Sequence, residues 1–460
     1  KEWKLPMLHD FEQGILYHLQ KGRPLAETLK LLDPLNLGGF YSRPATTWWP
    51  LDNAAKVYPI SMSHDQMEVF RLSAYLDEDI VPEILQLALT FTIKRFPFFA
   101  TTIKNGFFWH YIDSAKRRFS VEPEHTIPCA PMNVSLTGAQ SFRIVYYRNR
   151  VSAEFFHILT DGTGGMIFLK SLLAEYLRLL GIDIPATHGV LDINERPLPI
   201  ESADDFAKSA VKGQKGSGFA GKPALQMSGY LTHTKPCQVL HFDIEANDLH
   251  QLAKERQVSV TTYVLGLMFV AGKAATEEDN GNIQIQVPVN MRNFYPSETI
   301  RNFSLYCNIC MPISEITSID DILPEISRQL QEKTSREAMH EMMNAAVKLV
   351  SSLKYVPLFI KTTFGNFIYG FFSDRISNTL SNLGVVDLPD EMRPYVQKMD
   401  FVLGMSPTNR AACSMVTVNN VATFSIAKAT IDPSFEEKIY SLLTENGLTF
   451  SVSGSEIYGN

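Results

Sequence analysis

The segment over residues 151–165 contains a histidine, an aspartate and a glycine at the spacing His157-x-x-x-Asp161-Gly162. An unperturbed histidine has a pKa of ~6.5, so its imidazole is mostly neutral near pH 7 and can act as a general base, worth ~10²–10⁴-fold in rate. Asp161 could orient that imidazole, as the acid of a serine-hydrolase triad does. At this composition chance produces roughly 0.07 such motifs per chain, so the motif alone is only suggestive. A histidine packed in the core is the alternative.

The residues around the motif predict a strand, a tight turn and a helix. Apolar residues alternate along 151–155, and His157 continues the same face of the predicted strand. Glycines within 162–165 then break the strand, and apolar residues return at helical spacing along 166–180. A histidine at such a junction can be directed into a cavity by rigid elements. The glycine turn before the helix is also a weak candidate for anion binding.

Further stretches accompany the histidine motif along almost the whole chain. They are Arg95-x-Pro97 at a predicted helix end, Asn290-x-Arg292 after a predicted strand, and the turn Ser381-Asn382-x-Gly384. With these, the chain resembles the CoA-dependent acyltransferase superfamily, which includes nonribosomal peptide condensation domains, plant-type acyltransferases and alcohol acetyltransferases. The stretch 51–59 is most similar to bacterial alcohol acetyltransferase-like members.

This resemblance implies a fold and a set of roles. The fold would be α/β, with two similar chloramphenicol acetyltransferase-like halves that form a V-shaped pseudo-dimer with the active site between them. His157 would be the general base, without a covalent acyl-enzyme, because the acceptor attacks the donor directly. Asp161 would point away from His157 and pair with Arg292 as a structural element, and Gly162 would lie where the backbone passes close to the acyl donor.

Weaker signals come from the remaining candidate residues. The resemblance implies that Ser381 and Asn382 contact the acyl donor or the oxyanion of the intermediate, and a plain turn is the alternative. No metal site is predicted, because Cys307-x-x-Cys310 lacks a second pair of ligands and the other histidines show no metal spacing.

The sequence departs at two points from the motifs of particular branches of this superfamily. Condensation domains usually carry two adjacent histidines, whereas the residue before His157 is Phe156. The plant-type Asp-Phe-Gly-Trp-Gly signature is absent, and Asp400-Phe401 with Gly404 matches it only in part. Both departures count against a peptide-synthesising enzyme and against a plant-type enzyme, while neither removes the histidine.

The leading hypothesis is an acyltransferase that moves an acyl group, acetyl or another short chain, from acyl-CoA to the hydroxyl of a small alcohol. Acyl-CoA would be a co-substrate, and no permanently bound cofactor is expected. The alternative is a free-standing condensation-type enzyme, fed by an acyl carrier protein and using an amine or hydroxyl acceptor. A non-catalytic binding module is a third hypothesis, disfavoured because His157, Asp161 and Arg292 are all present.

Composition restricts the class of protein further. The chain has 460 residues, of which 45% are hydrophobic and 20% charged, which is ordinary globular material and more than one core usually supports. A net charge of -7 argues against a nucleic-acid partner. An odd number of cysteines and no recognisable secretory leader predict free thiols in the cytoplasm. No stretch is long enough for a transmembrane helix; the nearest, 356–372, is expected to pack between domains.

The order of the predicted elements gives the domain organisation. Residues 1–190 would form an N-terminal α/β domain with the histidine motif, 191–235 a linker rich in Pro, Gly, Ser and Lys, and 236–460 a C-terminal α/β domain. Within these, the patterns predict a strand over 57–62, a hairpin over 142–157 and one long helical stretch over 320–353.

Overall fold

The computed structural model describes residues 4–33, 48–53, 55–56, 67–115, 118–132, 134–135, 138–209, 223–363, 375–406 and 408–459. Helices and strands are interspersed along these residues, so the predicted mixed α/β class is confirmed. The helices are α1 (Lys4–Gln20), α2 (Leu25–Leu31), α3 (Pro82–Arg95), α4 (Gly162–Leu180), α5 (Asp205–Ser209), α6 (Ala246–Glu255), α7 (Val260–Ala274), α8 (Ile319–Lys333), α9 (Arg336–Ser352) and α10 (Ser434–Glu445).

The strands of the described residues form three sheets. In chain order they are β1 (Trp48–Pro50), β2 (Val69–Leu76), β3 (Thr101–Asn105), β4 (His110–Ser114), β5 (Val121–Pro123), β6 (Val134–Ser135), β7 (Gly138–Gln140), β8 (Phe142–Tyr147), β9 (Arg150–Phe156), β10 (Gln238–Glu245), β11 (Asn282–Asn290), β12 (Ser304–Pro312), β13 (Asn378–Val385), β14 (Val396–Leu403), β15 (Ala411–Val418), β16 (Val421–Lys428) and β17 (Phe450–Gly454). The sheet orders are β14-β2-β9-β8-β5, β1-β4-β3-β7-β6 and β12-β11-β13-β15-β16-β10-β17.

The first lobe contains the sheet β14-β2-β9-β8-β5 and is built around β9, the strand that leads into the histidine motif. β9 lies between β2 and β8 and is antiparallel to both. On one face Phe155 packs in a cluster of rings, with centroids 5.8 Å from Phe99 and 6.0 Å from Phe168 of α4. On the other face the buried Glu154 binds Arg71 at 2.7 Å. Because both faces are covered, the end of β9 is held in place from two sides.

The second lobe contains the seven-stranded sheet and its own apolar core. Ser259 starts α7 as its N-cap, since its side chain accepts a hydrogen bond from the Thr262 N–H. The helix is then almost wholly apolar and packs against α8, α10 and β11. Each lobe therefore has a sheet covered by helices, and the predicted arrangement of two α/β halves is confirmed.

One strand crosses between the lobes. β14 comes from the C-terminal part of the chain but pairs with β2 at the edge of the first sheet, with Asp400 opposite Ser73. The buried Asp400 also accepts a hydrogen bond of 2.8 Å from the Tyr75 hydroxyl. The two lobes therefore cannot separate without breaking a β-ladder.

The long helical stretch predicted over 320–353 is wrong in one respect, because the structure has two helices there. α8 ends at Lys333, and Ser335 begins α9 as an N-cap that accepts from the Ala338 N–H. A serine followed by a helical pattern favours a new helix start, since its hydroxyl satisfies a backbone donor that would otherwise be unpaired.

Some predictions fall wholly or partly outside the described residues: the strand over 57–62, the linker at 210–222 and the apolar stretch at 364–372. Within the same apolar stretch, residues 358–363 are helical, with Leu358 buried and Phe359 exposed. Among the helices that the structure describes, none is long and apolar enough to cross a membrane.

Candidate active site

His157 lies in the turn directly after β9 and is partly exposed. Its N–H donates to the carbonyl of Glu68 at 2.8 Å, which extends the ladder beyond the pair Val69 and Phe156. The imidazole packs edge-on against Phe70, with ring centroids 5.3 Å apart. The strand end therefore positions both the backbone and the ring of His157.

Asn302, from the second lobe, contacts His157 at two points. Its Nδ2 lies 3.1 Å from Nδ1 of the imidazole and 3.1 Å from the carbonyl oxygen of His157. Its Oδ1 accepts a hydrogen bond of 3.0 Å from the Ser304 hydroxyl, and the residue is buried. Because a carbonyl oxygen only accepts, the Nδ2 end of the amide must face His157. The histidine is thus held by both lobes.

Each tautomer of the neutral imidazole satisfies a different hydrogen bond, either the one to its own backbone or the one from Asn302 to Nδ1. When Nδ1 carries the proton, it can donate to the carbonyl oxygen of its own residue, and Nε2 is the basic nitrogen. When Nε2 carries the proton, Nδ1 accepts from Asn302 instead. The hydrogen bond between the ring of His157 and its own backbone is satisfied in the first arrangement. In that arrangement Nε2 is the nitrogen that can take a proton.

Burial lowers the pKa of His157 below its usual value, because the imidazolium loses more hydration than the neutral ring. The hydrogen bond to its own backbone and the negative charge of Asp161 raise the pKa and offset part of this effect. At pH 7 the imidazole is therefore neutral, as general-base catalysis requires.

Asp161 is the N-cap of α4, and both of its carboxylate oxygens are engaged. Oδ1 accepts from the Gly164 N–H at 3.0 Å. Oδ2 accepts from Nη1 of Arg292 at 2.7 Å and from the Phe303 N–H at 2.8 Å, both in the second lobe. The carboxylate therefore fastens the start of α4 to the second lobe.

Arg292 spreads its guanidinium over one loop of the second lobe. Besides Asp161, Nη1 donates to Oδ1 of Asn290 at 3.2 Å, and Nη2 donates to the carbonyls of Thr299 and Arg301, both at 2.8 Å. These bonds close the loop that carries Asn302. The ion pair between Asp161 and Arg292 thus orders the start of α4, next to His157, and the loop whose Asn302 contacts His157.

The glycines of the turn differ in how strictly they are needed. A Cβ on Gly164 would lie 2.1 Å from the carbonyl oxygen of Ile300, a backbone atom of the second lobe. A Cβ on Gly162 would lie 2.5 Å from the end of the Leu383 side chain, which can move. Of these two glycines, Gly164 is the one that a backbone atom of the second lobe approaches, whereas the sequence pattern drew attention to Gly162.

Ser381 and Asn382 lie in strand β13 and not in the predicted turn, and they are beside the histidine motif because Leu383 packs on Gly162. Asn382 donates to the Thr261 hydroxyl at 3.0 Å and accepts from the Gly384 N–H at 2.8 Å. Gly384 has a φ of 71°, which favours glycine. The Asn382 amide thus stabilises the irregular end of β13, where the register shifts between Asn382 and Val385, and Ser381 is buried in the same strand.

Further contacts that sequence reasoning missed connect segments near this site. Arg95, at the end of α3, forms a bidentate pair with Glu201 of the stretch predicted as a linker, with both distances 2.6 Å. Arg301 donates to the carbonyl of Pro50 at 2.8 Å and lies 3.3 Å from Asp52. Arg301 and Asn302 follow one another in a loop without periodicity, so no sequence signal marked them.

Within the described residues no cluster of His, Cys, Asp and Glu could hold a metal ion. Cys307 and Cys310 both lie in β12, where residues three apart point to opposite faces. The burial pattern agrees, with Cys307 buried and Cys310 partly exposed. The two thiols therefore cannot bind one ion together.

Comparison of the sequence with protein-family models and with curated proteins gives no match. Solved structures do match the fold. Trichothecene 15-O-acetyltransferase TRI3 from Fusarium sporotrichioides aligns with a TM-score of 0.57 at 11% identity, over 87% of this chain and 94% of that chain. TRI101 from F. sporotrichioides, solved with coenzyme A and T-2, has a TM-score of 0.59 at 10% identity, over 88% and 99%.

A third solved structure comes from peptide biosynthesis. The epimerization domain of the third module of tyrocidine synthetase B aligns with a TM-score of 0.54 at 10% identity, over 88% of this chain and 97% of that chain. At such identities the likeness concerns architecture. The chain therefore shares the two-lobed fold of these acetyltransferases and of the epimerization domain.

Proposed function

We propose that this protein is an acyltransferase that moves an acyl group, acetyl or another short chain, from acyl-CoA to the hydroxyl of a small alcohol. The observation that carries the proposal is the setting of His157. Its imidazole is neutral at pH 7, is held from both lobes, and turns Nδ1 toward its own backbone and Asn302. A histidine held in this way suits proton transfer.

The proposed reaction is a direct transfer with His157 as general base. Nε2 takes the proton of the acceptor hydroxyl while the hydroxyl oxygen attacks the thioester carbonyl. The tetrahedral intermediate then collapses, the C–S bond breaks, and the imidazolium returns its proton to the leaving thiolate. The products are an ester and free CoA, and the imidazole is neutral again for the next cycle.

Asp161 and Arg292 have structural roles in this proposal, because their contacts order the segments around His157. Gly162 begins α4 beside Leu383 of β13, and the acyl donor would pass this point. Ser381, in the same strand, would stabilise the oxyanion, whereas the Asn382 amide already binds the protein at both ends.

Two features of the proposed reaction have alternatives: the acyl donor and the acceptor group. TRI3 is an O-acetyltransferase and TRI101 was solved with coenzyme A, which supports a CoA donor and a hydroxyl acceptor. The tyrocidine synthetase domain keeps the alternative of a carrier-protein donor with an amine or hydroxyl acceptor. Phe156 in place of a second histidine favours the first choice.

The test is thiol release from a panel of acyl-CoAs with a panel of small alcohols and amines, with products identified by mass spectrometry. The same acyl groups on a carrier protein test the alternative donor. We expect CoA release with alcohols, loss of activity in His157→Ala, and full activity in His250→Ala, which removes an exposed histidine of α6. Turnover of His157→Ala within about threefold of wild type would reject the mechanism.

We place this reaction in the cytoplasm. All five cysteines are free thiols, and Cys310 is the least buried of them. Thiols of this kind persist in a reducing compartment, where acyl-CoA is also found. Recovery of fully reduced protein from cells, measured by thiol alkylation before lysis, would support the location, and a mixed disulfide would count against it.

A further inference from the structure

Large apolar side chains are exposed together at the tip of the β3–β4 hairpin and in the segment after α9. We call this group the aromatic surface: Phe107 (72% exposed), Phe108 (38%), Tyr355 (77%), Phe359 (70%) and Ile360 (36%). Isolated exposed apolar residues are common, but a group of this size usually marks a contact with another molecule or with lipid.

Contacts between the two segments make the aromatic surface continuous. The Leu358 N–H donates to the carbonyl of Phe107 at 2.9 Å, and the Lys361 ammonium donates to the carbonyl of Phe108 at 2.7 Å. The rings of Phe108 and Tyr355 lie 6.4 Å apart. The hairpin tip and the later segment are therefore fixed against each other.

The exposure of Phe359 and Ile360 follows from how their helical turn is docked. Leu358 and Lys361 are buried on the side that faces the hairpin, and the Lys361 ammonium lies 3.1 Å from the ring centroid of Trp109. Because residues three apart share one face of a helix, the two residues between them must face outwards. The rings project from a well-anchored base.

Two exposed lysines accompany the rings of the aromatic surface. Lys354 is exposed, with its ammonium 5.4 Å from the ring centroid of Tyr355, and Lys348 is exposed near the end of α9. Neither 105–112 nor 342–363 contains an aspartate or a glutamate, in a chain whose net charge is -7. Exposed rings with lysines in the same segment match an anionic interface between water and lipid.

We propose that the aromatic surface docks on an anionic lipid bilayer, with the rings of Phe107, Tyr355 and Phe359 entering the headgroup region and Lys348 and Lys354 facing lipid phosphates. Lipid fits better than a protein partner because the most exposed rings project from a hairpin tip and a helical turn. A bilayer accepts projecting rings without a matching pocket, and aromatic side chains favour the headgroup level. This inference does not depend on the proposed transfer reaction.

The experiment is co-sedimentation of the full chain with vesicles of phosphatidylcholine, alone or with about 30% phosphatidylserine. We expect binding to the anionic vesicles that weakens as salt is raised, because the lysine contribution is screened. Phe107→Ser with Phe359→Ser should lower the bound fraction at least about fivefold. Tyr230→Ser, which removes a 96% exposed ring outside the aromatic surface, should leave binding unchanged.

A second variant keeps the test decisive if the double serine variant fails to fold. Lys348→Glu with Lys354→Glu changes only exposed charges, and we expect it to abolish the preference for anionic vesicles. The proposal is overturned if wild-type protein binds neither vesicle. It is also overturned if the double serine variant binds the anionic vesicles as well as wild type does. Self-association in light scattering that is lost in the serine variant without any lipid binding overturns it too, since the aromatic surface would then join two copies of the chain.

Discussion

Removing either partner of the Asp161–Arg292 ion pair should destabilise the folded protein. The two side chains are only 4% and 12% exposed and come from different lobes. Asp161→Asn keeps an oxygen for the Gly164 N–H, but the NH2 group of the new side chain must then face the N–H donors of Arg292 and Phe303, which it cannot accept from. Arg292→Leu leaves the carboxylate charged, with only two backbone N–H groups to compensate it. Breaking a buried pair in this way typically costs ~3–5 kcal/mol of unfolding free energy.

The expected shift in melting temperature follows from the size of the chain. Unfolding entropy is ~2.1 cal/mol/K per residue, so the 460 residues melting as one unit give about 1 kcal/mol/K. A loss of ~3–5 kcal/mol should therefore lower Tm by about 3–5 °C in each single variant. Cooperative melting is expected because β14 joins the lobes through one ladder.

A double-mutant cycle measured by calorimetry tests the reasoning. The double variant should lose less than the sum of the single variants, by ~1–3 kcal/mol, because the second change removes a charge that is already unpaired. The exposed pair Arg328 and Glu332, at 61% and 66%, is the matched control, and its coupling should stay below about 0.5 kcal/mol. Strictly additive shifts for Asp161 and Arg292 would refute the argument, and lost turnover with unchanged melting would instead make Asp161 an orienting acid.

Other predictions concern the histidine and the turn. His157→Ala should lower kcat/KM by ~10²–10⁴-fold with little change in Tm, measured by thiol release and calorimetry. The reaction needs the neutral base, and burial lowers the pKa of His157. The value of kcat/KM should therefore rise with pH, with the midpoint of the rise below the unperturbed pKa of ~6.5; a rise that continues past pH 8 would contradict this. Asn302→Asp places a negative charge beside the imidazole and should move that limb to higher pH, whereas an unmoved limb would show that Asn302 does not face the base. Gly164→Ala should lower Tm more than Gly162→Ala, because only Gly164 faces a backbone atom of the other lobe; equal shifts would refute this.

Local elements near the motif were predictable because their signals are short-range. The hairpin predicted over 142–157 corresponds to β8 and β9, and the helical spacing after the glycines corresponds to α4. Alternation and glycine positions act over a few residues, so one sequence is enough to see them. The break between α8 and α9 was missed although Ser335 signals it, because the apolar pattern continues across the break.

The surroundings of His157 were not predictable in the same way. Asn302 lies 145 positions from His157 along the chain, and Ile300 meets Gly164 from the same loop. These contacts depend on how the lobes are packed, which no local pattern reports. The crossing of β14 into the first sheet is of the same kind, since a strand pattern does not say which edge the strand will join.

The sequence by itself therefore determined the mixed α/β class, the strand-turn-helix at His157 and the residue types that chemistry would need. The tertiary structure alone decided which groups surround the imidazole. It also decided that Asp161 binds the second lobe through Arg292 and Phe303. The physical reason is distance along the chain: propensity and periodicity act between neighbours, whereas the pKa and orientation of a buried side chain depend on whatever the fold brings into contact with it.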